Sequence, residues 1–221
     1  MSKIGLIDVD GHNFPNLALM KLSSWHKREG DSVEWYSGIE HYDRVYMSKV
    51  FAFTPDDLRV IQADEVVKGG SGYKMYDQTL PNEVEHICPD YSLYPMYNDA
   101  YGFLTRGCVN QCSFCIVPRK EGFIRKHADI TEFLSGRQSA TLMDNNVIAS
   151  DWGLNQIEKI ISLNVKVDFN QGLDCRIIAK DKNIAHLLSH VKWKRFLRMA
   201  YDNSAITDEV TTAIAYLKEA G

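Results

Sequence analysis

The sequence predicts an α/β protein, with a parallel sheet in its N-terminal part and a partial (β/α) barrel after it. Three observations carry that expectation. Strand and helix signals alternate from the start, which is the pattern of a parallel sheet with right-handed crossovers. The alternation lapses over residues 73–100, which hold three prolines and a scatter of tyrosines and acids, and then resumes at about 30 residues per strand–helix unit. The strand that reopens it runs directly into three closely spaced cysteines.

Lys3–Val9 (KIGLIDV) is a β-branched apolar run ending in Asp-Gly, a buried strand and its turn. Asn16–Glu29 sets Leu17, Met20, Leu22 and Trp25 near helical spacing, and Gly30 is a natural stop. Val33–Tyr36 and Arg44–Phe51 read as the next strands. Thr54-Pro55-Asp56-Asp57 has the chemistry of a helix start, and Glu65–Lys68 is a fourth strand before Gly69-Gly70-Ser71-Gly72. In the second half, Tyr101–Arg106, Ala140–Met143, Val165–Phe169 and Arg195–Ala200 are strand candidates. Leu154–Leu163, Asp181–Ser189 and Thr207–Ala220 are the helices between and after them. The expected organisation is a first domain over 1–72, a linker over 73–100, and a partial barrel over 101–221. Four units are fewer than a complete barrel uses, so its last units are expected to be missing.

The chain has 221 residues, 45% hydrophobic and 24% charged, an ordinary globular composition. A net charge of −4 supplies no general basic field, so nucleic acid is not indicated as a partner. No apolar run is long enough to span a membrane, and the N-terminus lacks the pattern of a signal peptide, so the expected location is the cytoplasm.

Five cysteines are present, and Cys108, Cys112 and Cys115 fall within eight residues as C-x3-C-x2-C. In a reducing compartment such a cluster reads as metal binding or redox chemistry. Three thiolates on one loop can meet three corners of a 4Fe–4S cluster and leave the fourth iron open. The competing reading is a structural zinc site, for which Cys88 or Cys175 would have to supply a fourth ligand. A non-catalytic iron–sulfur protein or electron carrier is the alternative at the level of function.

C-x3-C-x2-C after a first barrel strand, with Phe114 just before the third cysteine, resembles the signature of the radical S-adenosylmethionine (SAM) superfamily. That resemblance implies a 4Fe–4S cluster on the three cysteines and SAM on the open iron. It implies an electron donor such as flavodoxin or ferredoxin, and a 5′-deoxyadenosyl radical that abstracts hydrogen from a substrate the sequence does not name. Active sites of such barrels gather at the C-terminal ends of the strands. There the resemblance implies SAM contacts from Phe114, from the stretch Asp144, Asn145 and Asn146 after the second strand, with a plain Asn-Asn turn as the competing reading, from Arg176 after the third, and from Arg198 and Asp202 along and after the fourth. Arg176 suits a carboxylate, with an ion pair to Asp174 as the competing reading. Cys175 reads as a packed thiol.

The first domain resembles the Rossmann-like domain that precedes the barrel in the cobalamin-binding branch of that superfamily. Asp10-Gly-His12-Asn-Phe-Pro15 resembles D-x-H-x-x-G, whose histidine ligates cobalt and whose acid polarises it. Proline in place of the last glycine departs from that pattern, and a polar turn is the favoured reading of Asp10 and His12, so cobalamin is possible but not favoured.

Overall fold

In the computed structural model, which describes residues 1–221, β1 (Lys3–Asp8) is a central strand. β2 (Ser32–Trp35) and β3 (Tyr42–Ser48) flank it, and β4 (Ala63–Gly69) lies beyond β3, every pairing parallel. The apolar run of β1 is explained by burial on both faces. Ile4 and Leu6 pack with Leu19, Met20 and Leu22 of α1 (Leu17–Arg28), while Ile7 points the other way with Val45 and Met47. Asn16 caps α1 by accepting from the Leu19 amide at 3.3 Å, and its own amide donates to Ser48 Oγ at 2.8 Å. The helix start is thereby fastened to the end of β3. Gly30, with φ +87°, closes the helix as expected.

The helix expected from Thr54-Pro55 does not form. The Thr54 hydroxyl donates to Asp10 at 2.6 Å, and Leu58 and Val60 are 91% and 89% exposed, so the segment has no apolar face to pack. Residues 73–97 belong to the first compact unit, Met1–Tyr97, and do not form a separate linker. Val84 of the short α2 (Asn82–Glu85), with Leu93 and Tyr94, is buried in the α1 core. Ser23 Oγ and Ser24 Oγ donate to Asp90 at 2.6 Å and to the Cys88 carbonyl at 2.7 Å, strapping the segment to α1.

The second unit, Asn98–Gly221, contains a second all-parallel sheet in the order β10-β9-β8-β5. Its elements in chain order are β5 (Ala100–Gly102), β6 (Thr105–Arg106), α3 (Val117–Lys120), β7 (Arg125–Lys126), α4 (Ile130–Leu134), β8 (Ser139–Leu142), α5 (Asp151–Ser162), β9 (Lys166–Phe169), α6 (Cys175–Lys180), α7 (Lys182–Ser189), β10 (Lys192–Trp193) and α8 (Thr207–Ala220). Ala140, Leu142, Val167 and Phe169 form its buried centre in register, Ala140 opposite Val167 and Leu142 opposite Phe169.

The fourth strand is not at Arg195–Ala200 but at Lys192–Trp193, paired with Lys166 and Val167. Buried Val191 and the Trp193 ring, edge-on to Phe169 at 5.9 Å, supply the inward groups there. Phe196 is left 59% exposed, and residues 195–200 return only as a single bridge from Met199 to Leu173. No helix is long and apolar enough to cross a membrane.

Candidate metal centre

The three cysteines lie on a loop pinched at its neck. β6 and β7 pair antiparallel, Thr105 opposite Lys126 and Arg106 opposite Arg125, and the Cys108 amide donates to the Gly122 carbonyl at 3.2 Å. Gly107, at φ +81°, makes the bend into the loop. A β-carbon there would lie 2.2 Å from the Phe123 carbonyl oxygen, so both the conformation and the space require glycine.

Glu121 holds the neck from inside. Its carboxylate accepts from the Gly107 amide and from Asn145 Nδ2, each at 2.9 Å, and pairs with Arg106 at 3.1 Å. Its side chain is 8% exposed. Removing a buried carboxylate from three donors costs about 3 kcal/mol. Glu121→Ala is therefore expected to lower the urea midpoint of the second unit and to reduce the iron the loop retains. Unchanged values of both would refute this role.

Asp144 anchors the strand that feeds the loop. It is buried, and its carboxylate accepts from the Leu104 amide at 3.0 Å, the Thr105 amide at 2.6 Å and Thr105 Oγ1 at 2.7 Å. Burial pushes its pKa up to about 6, against the lowering effect of the Thr105 and Leu104 hydrogen bonds.

The sulfurs face a shell of N–H groups. Cys108 Sγ accepts from the Asn110 amide at 3.4 Å and Cys115 Sγ from the Val117 amide at 3.4 Å. The Cys115 amide closes the C-x2-C turn on the Cys112 carbonyl at 3.0 Å. All five cysteines are free thiols; Cys108 and Cys112 are half-buried and Cys115 is exposed. No three His, Cys, Asp or Glu side chains converge as tightly as one metal ion demands. A cubane asks for a looser arrangement, one thiolate to each corner, and three soft donors on one pinched loop fit it. Cys175 is fully buried with its thiol on the Ala200 carbonyl at 3.6 Å, as a packed residue would be.

A polar cluster abuts Cys108. Asp174, the N-cap of α6, accepts from Asn110 Nδ2 at 2.8 Å, from Asn146 Nδ2 at 3.1 Å, and from the Arg176 guanidinium at 2.7 and 2.8 Å. Burial raises the Asp174 pKa, but Arg176 and Asn110 outweigh it and hold the carboxyl below its usual range. Asn146 is 2% exposed, and its Oδ1 has no hydrogen-bond partner.

The residues expected from sequence to touch a cofactor are therefore distributed unequally. Arg176 sits in the polar cluster, paired with Asp174. Asp144 and Asn145 are engaged with the loop's own framework. Phe114 is 73% exposed on the loop. Arg198 pairs with Asp168, and Asp202 stands exposed on the turn before α8. Glu121 and Asn110 are not among the residues expected from the sequence. Asn146 had a signal, since it closes the Asp-Asn-Asn triplet after a barrel strand.

In the first unit, Asp10 accepts from the Val50 and Phe51 amides and from Thr54, holding the loop after β3. The His12 ring lies 4.2 Å from Trp35 and 5.7 Å from Tyr94. An acid so engaged, with Pro15 where the pattern has glycine, does not fit an acid-supported cobalt ligand.

The chain thus has two parallel α/β sheets, with the thiol loop following the first strand of the second. The solved structure of TsrM, a radical SAM methyltransferase from Kitasatospora setae with cobalamin and a 4Fe–4S cluster bound, matches it with a TM-score of 0.64 at 11% identity. The match covers 99% of this chain and 67% of that one. No family model matches the sequence, and no curated protein does.

Proposed function

We propose that this chain is a radical SAM protein, in which Cys108, Cys112 and Cys115 hold a 4Fe–4S cluster and SAM binds the open iron. The observation that carries the reading is the pinched C-x3-C-x2-C loop at the end of β5 in a parallel sheet, with N–H groups already directed at two of its sulfurs. When bound, cluster and SAM supply a reducing electron and a cleavable carbon–sulfur bond, from which the 5′-deoxyadenosyl radical derives.

The protein's own residues bind and orient. Arg176, only partly occupied by Asp174, keeps a guanidinium edge for the carboxylate of SAM. Asp174 fixes the Arg176 guanidinium in place and holds Asn110, and with it the loop. Phe114 offers an apolar ring at the loop surface, and Arg198 and Asp202 remain weaker candidates beyond β9. Cobalamin is not favoured in this reading, because Asp10 is engaged by the loop after β3.

The test is anaerobic reconstitution of the full chain with iron and sulfide, followed by SAM and a low-potential reductant. Formation of 5′-deoxyadenosine and methionine is expected. A cluster that assembles and is reduced but never cleaves SAM refutes the enzyme and leaves an electron carrier.

A further inference from the structure

Cys108 differs from the other two loop cysteines in what reaches its sulfur. Besides the Asn110 backbone amide, it has a side-chain donor, Asn146 Nδ2 at 3.7 Å. That amide comes from the turn after β8, thirty-eight positions along the chain, and is almost wholly buried. A carboxamide can face either way, and its neighbours decide which. Here Asp174 decides, because its carboxylate is held ionised by Arg176 and can only accept. The NH2 group must turn toward Asp174 and Cys108, and the carbonyl oxygen is left facing away with no partner. Asp174 is itself immobilised by Arg176 and Asn110. The N–H directed at Cys108 is thus fixed in place before any cluster arrives.

The geometry points to Asn146 as a redox-tuning residue, one that acts on the cluster through the Cys108 sulfur, with Asp174 setting its orientation. This rests on the reading of Cys108 as a cluster ligand. On reduction, one electron passes from a low-potential one-electron donor to the cluster; the donor is oxidised, the cluster is reduced, and no bond or proton moves. The added negative charge spreads onto the ligand sulfurs, where a fixed N–H dipole stabilises it. Hydrogen bonds to sulfur are one of the levers that set such potentials, and burial strengthens this one by lowering the local dielectric. Asn146 therefore favours the reduced form.

The test is an EPR-monitored redox titration of the reconstituted full chain without SAM, comparing the wild type with Asn146→Leu and Asn146→Gln. Leucine keeps the branched shape and removes the donor; glutamine keeps an amide. Asn146→Leu is expected to retain its iron and to show a reduced-to-oxidised ratio about tenfold lower at a given potential, a shift of about 59 mV for one electron. Asn146→Gln is expected to recover part of that shift. A leucine variant with full iron and an unshifted potential overturns the inference. Should the leucine variant fail to fold, wild-type protein carrying 15N in its asparagine side chains is read instead. A hyperfine coupling from a side-chain nitrogen to the reduced cluster is expected, and its absence overturns the inference. A wild-type chain that holds no cluster refutes the proposed function and this inference with it, whereas a wild-type cluster with an unshifted leucine variant refutes the inference alone.

Discussion

Cys112→Ala is expected to leave the full chain colourless after anaerobic reconstitution, with nearly all of its iron and sulfide lost. The loop offers three thiolates to four irons, so no ligand is spare, and two corners cannot hold a cubane against chelation. The fold should survive the change. Cys112 is half-buried on a loop whose neck is closed by β6 and β7, by Glu121 and by the Cys108 amide, none of which uses the Cys112 side chain. The far-ultraviolet circular dichroism and the urea midpoint of the metal-free protein should therefore match the wild type. Cys175→Ala is the informative control. Its thiol is packed against the Ala200 carbonyl, so it should keep its iron. Retained colour and iron in Cys112→Ala, or their loss in Cys175→Ala, would refute the ligand assignment.

The second large effect belongs to Asp144 and depends on pH. Its carboxyl is held at about 6 in the fold, against 3.8 when unfolded. Below pH 3.8 both states carry the proton and the fold bears no penalty. Between about pH 4 and 6 the native protein keeps a proton that the unfolded chain has released, so stability falls as pH rises. Above 6 a buried charge is carried at a cost of about 3 kcal/mol. Asp99 and Asp174 are held below the usual carboxylate range and act in the opposite direction, so the whole protein shows a mixture. The difference between wild type and Asp144→Asn isolates the one group. At pH 4 the asparagine variant is expected to be less stable by about 1–3 kcal/mol, because its NH2 meets amide donors where an acceptor is needed. On going to pH 7 the wild type should lose about 2 kcal/mol relative to the variant, closing or reversing that gap. Urea midpoints at pH 4, 5, 6 and 7 measure it, and parallel wild-type and variant curves would refute the buried-acid account.

What the sequence made legible was whatever depends on short-range pattern. KIGLIDV reads as a buried strand and Gly30 as a helix stop, and both stand there in the fold. The α5, α7 and α8 helices fell within a few residues of their periodic runs. The failures came where tertiary partners outweighed local chemistry. Thr54-Pro55 has the composition of a helix start, but Asp10, forty-four residues earlier, takes the threonine hydroxyl. Arg195–Ala200 has strand-like composition, but Val191 and Trp193 present the better inward pair. Residues 73–97 lack a period because α1 holds them through single side chains and not through a repeating face.

The site divides in the same way. The cysteines were visible because their close spacing is itself the pattern of the proposed ligand set. Glu121 was not, since it acts by bridging segments that only the fold brings together. Asp144 was visible as an acid after a strand, but no pattern reveals that an acid's lone pairs already belong to the backbone of Leu104 and Thr105.

The nearness of the three thiols in the chain bears on how the protein would mature. A ligand stabilises a fold only to the extent that it prefers the folded chain to the unfolded one. With gaps of three and two residues, Cys108, Cys112 and Cys115 stay close even in a random coil, and closing such small loops costs little entropy. Iron can therefore bind to either state, and cluster insertion adds little to the driving force of folding. On the proposed function, the newly made chain would acquire both sheets first and be loaded afterwards, and loss of the cluster would leave behind a folded, refillable protein.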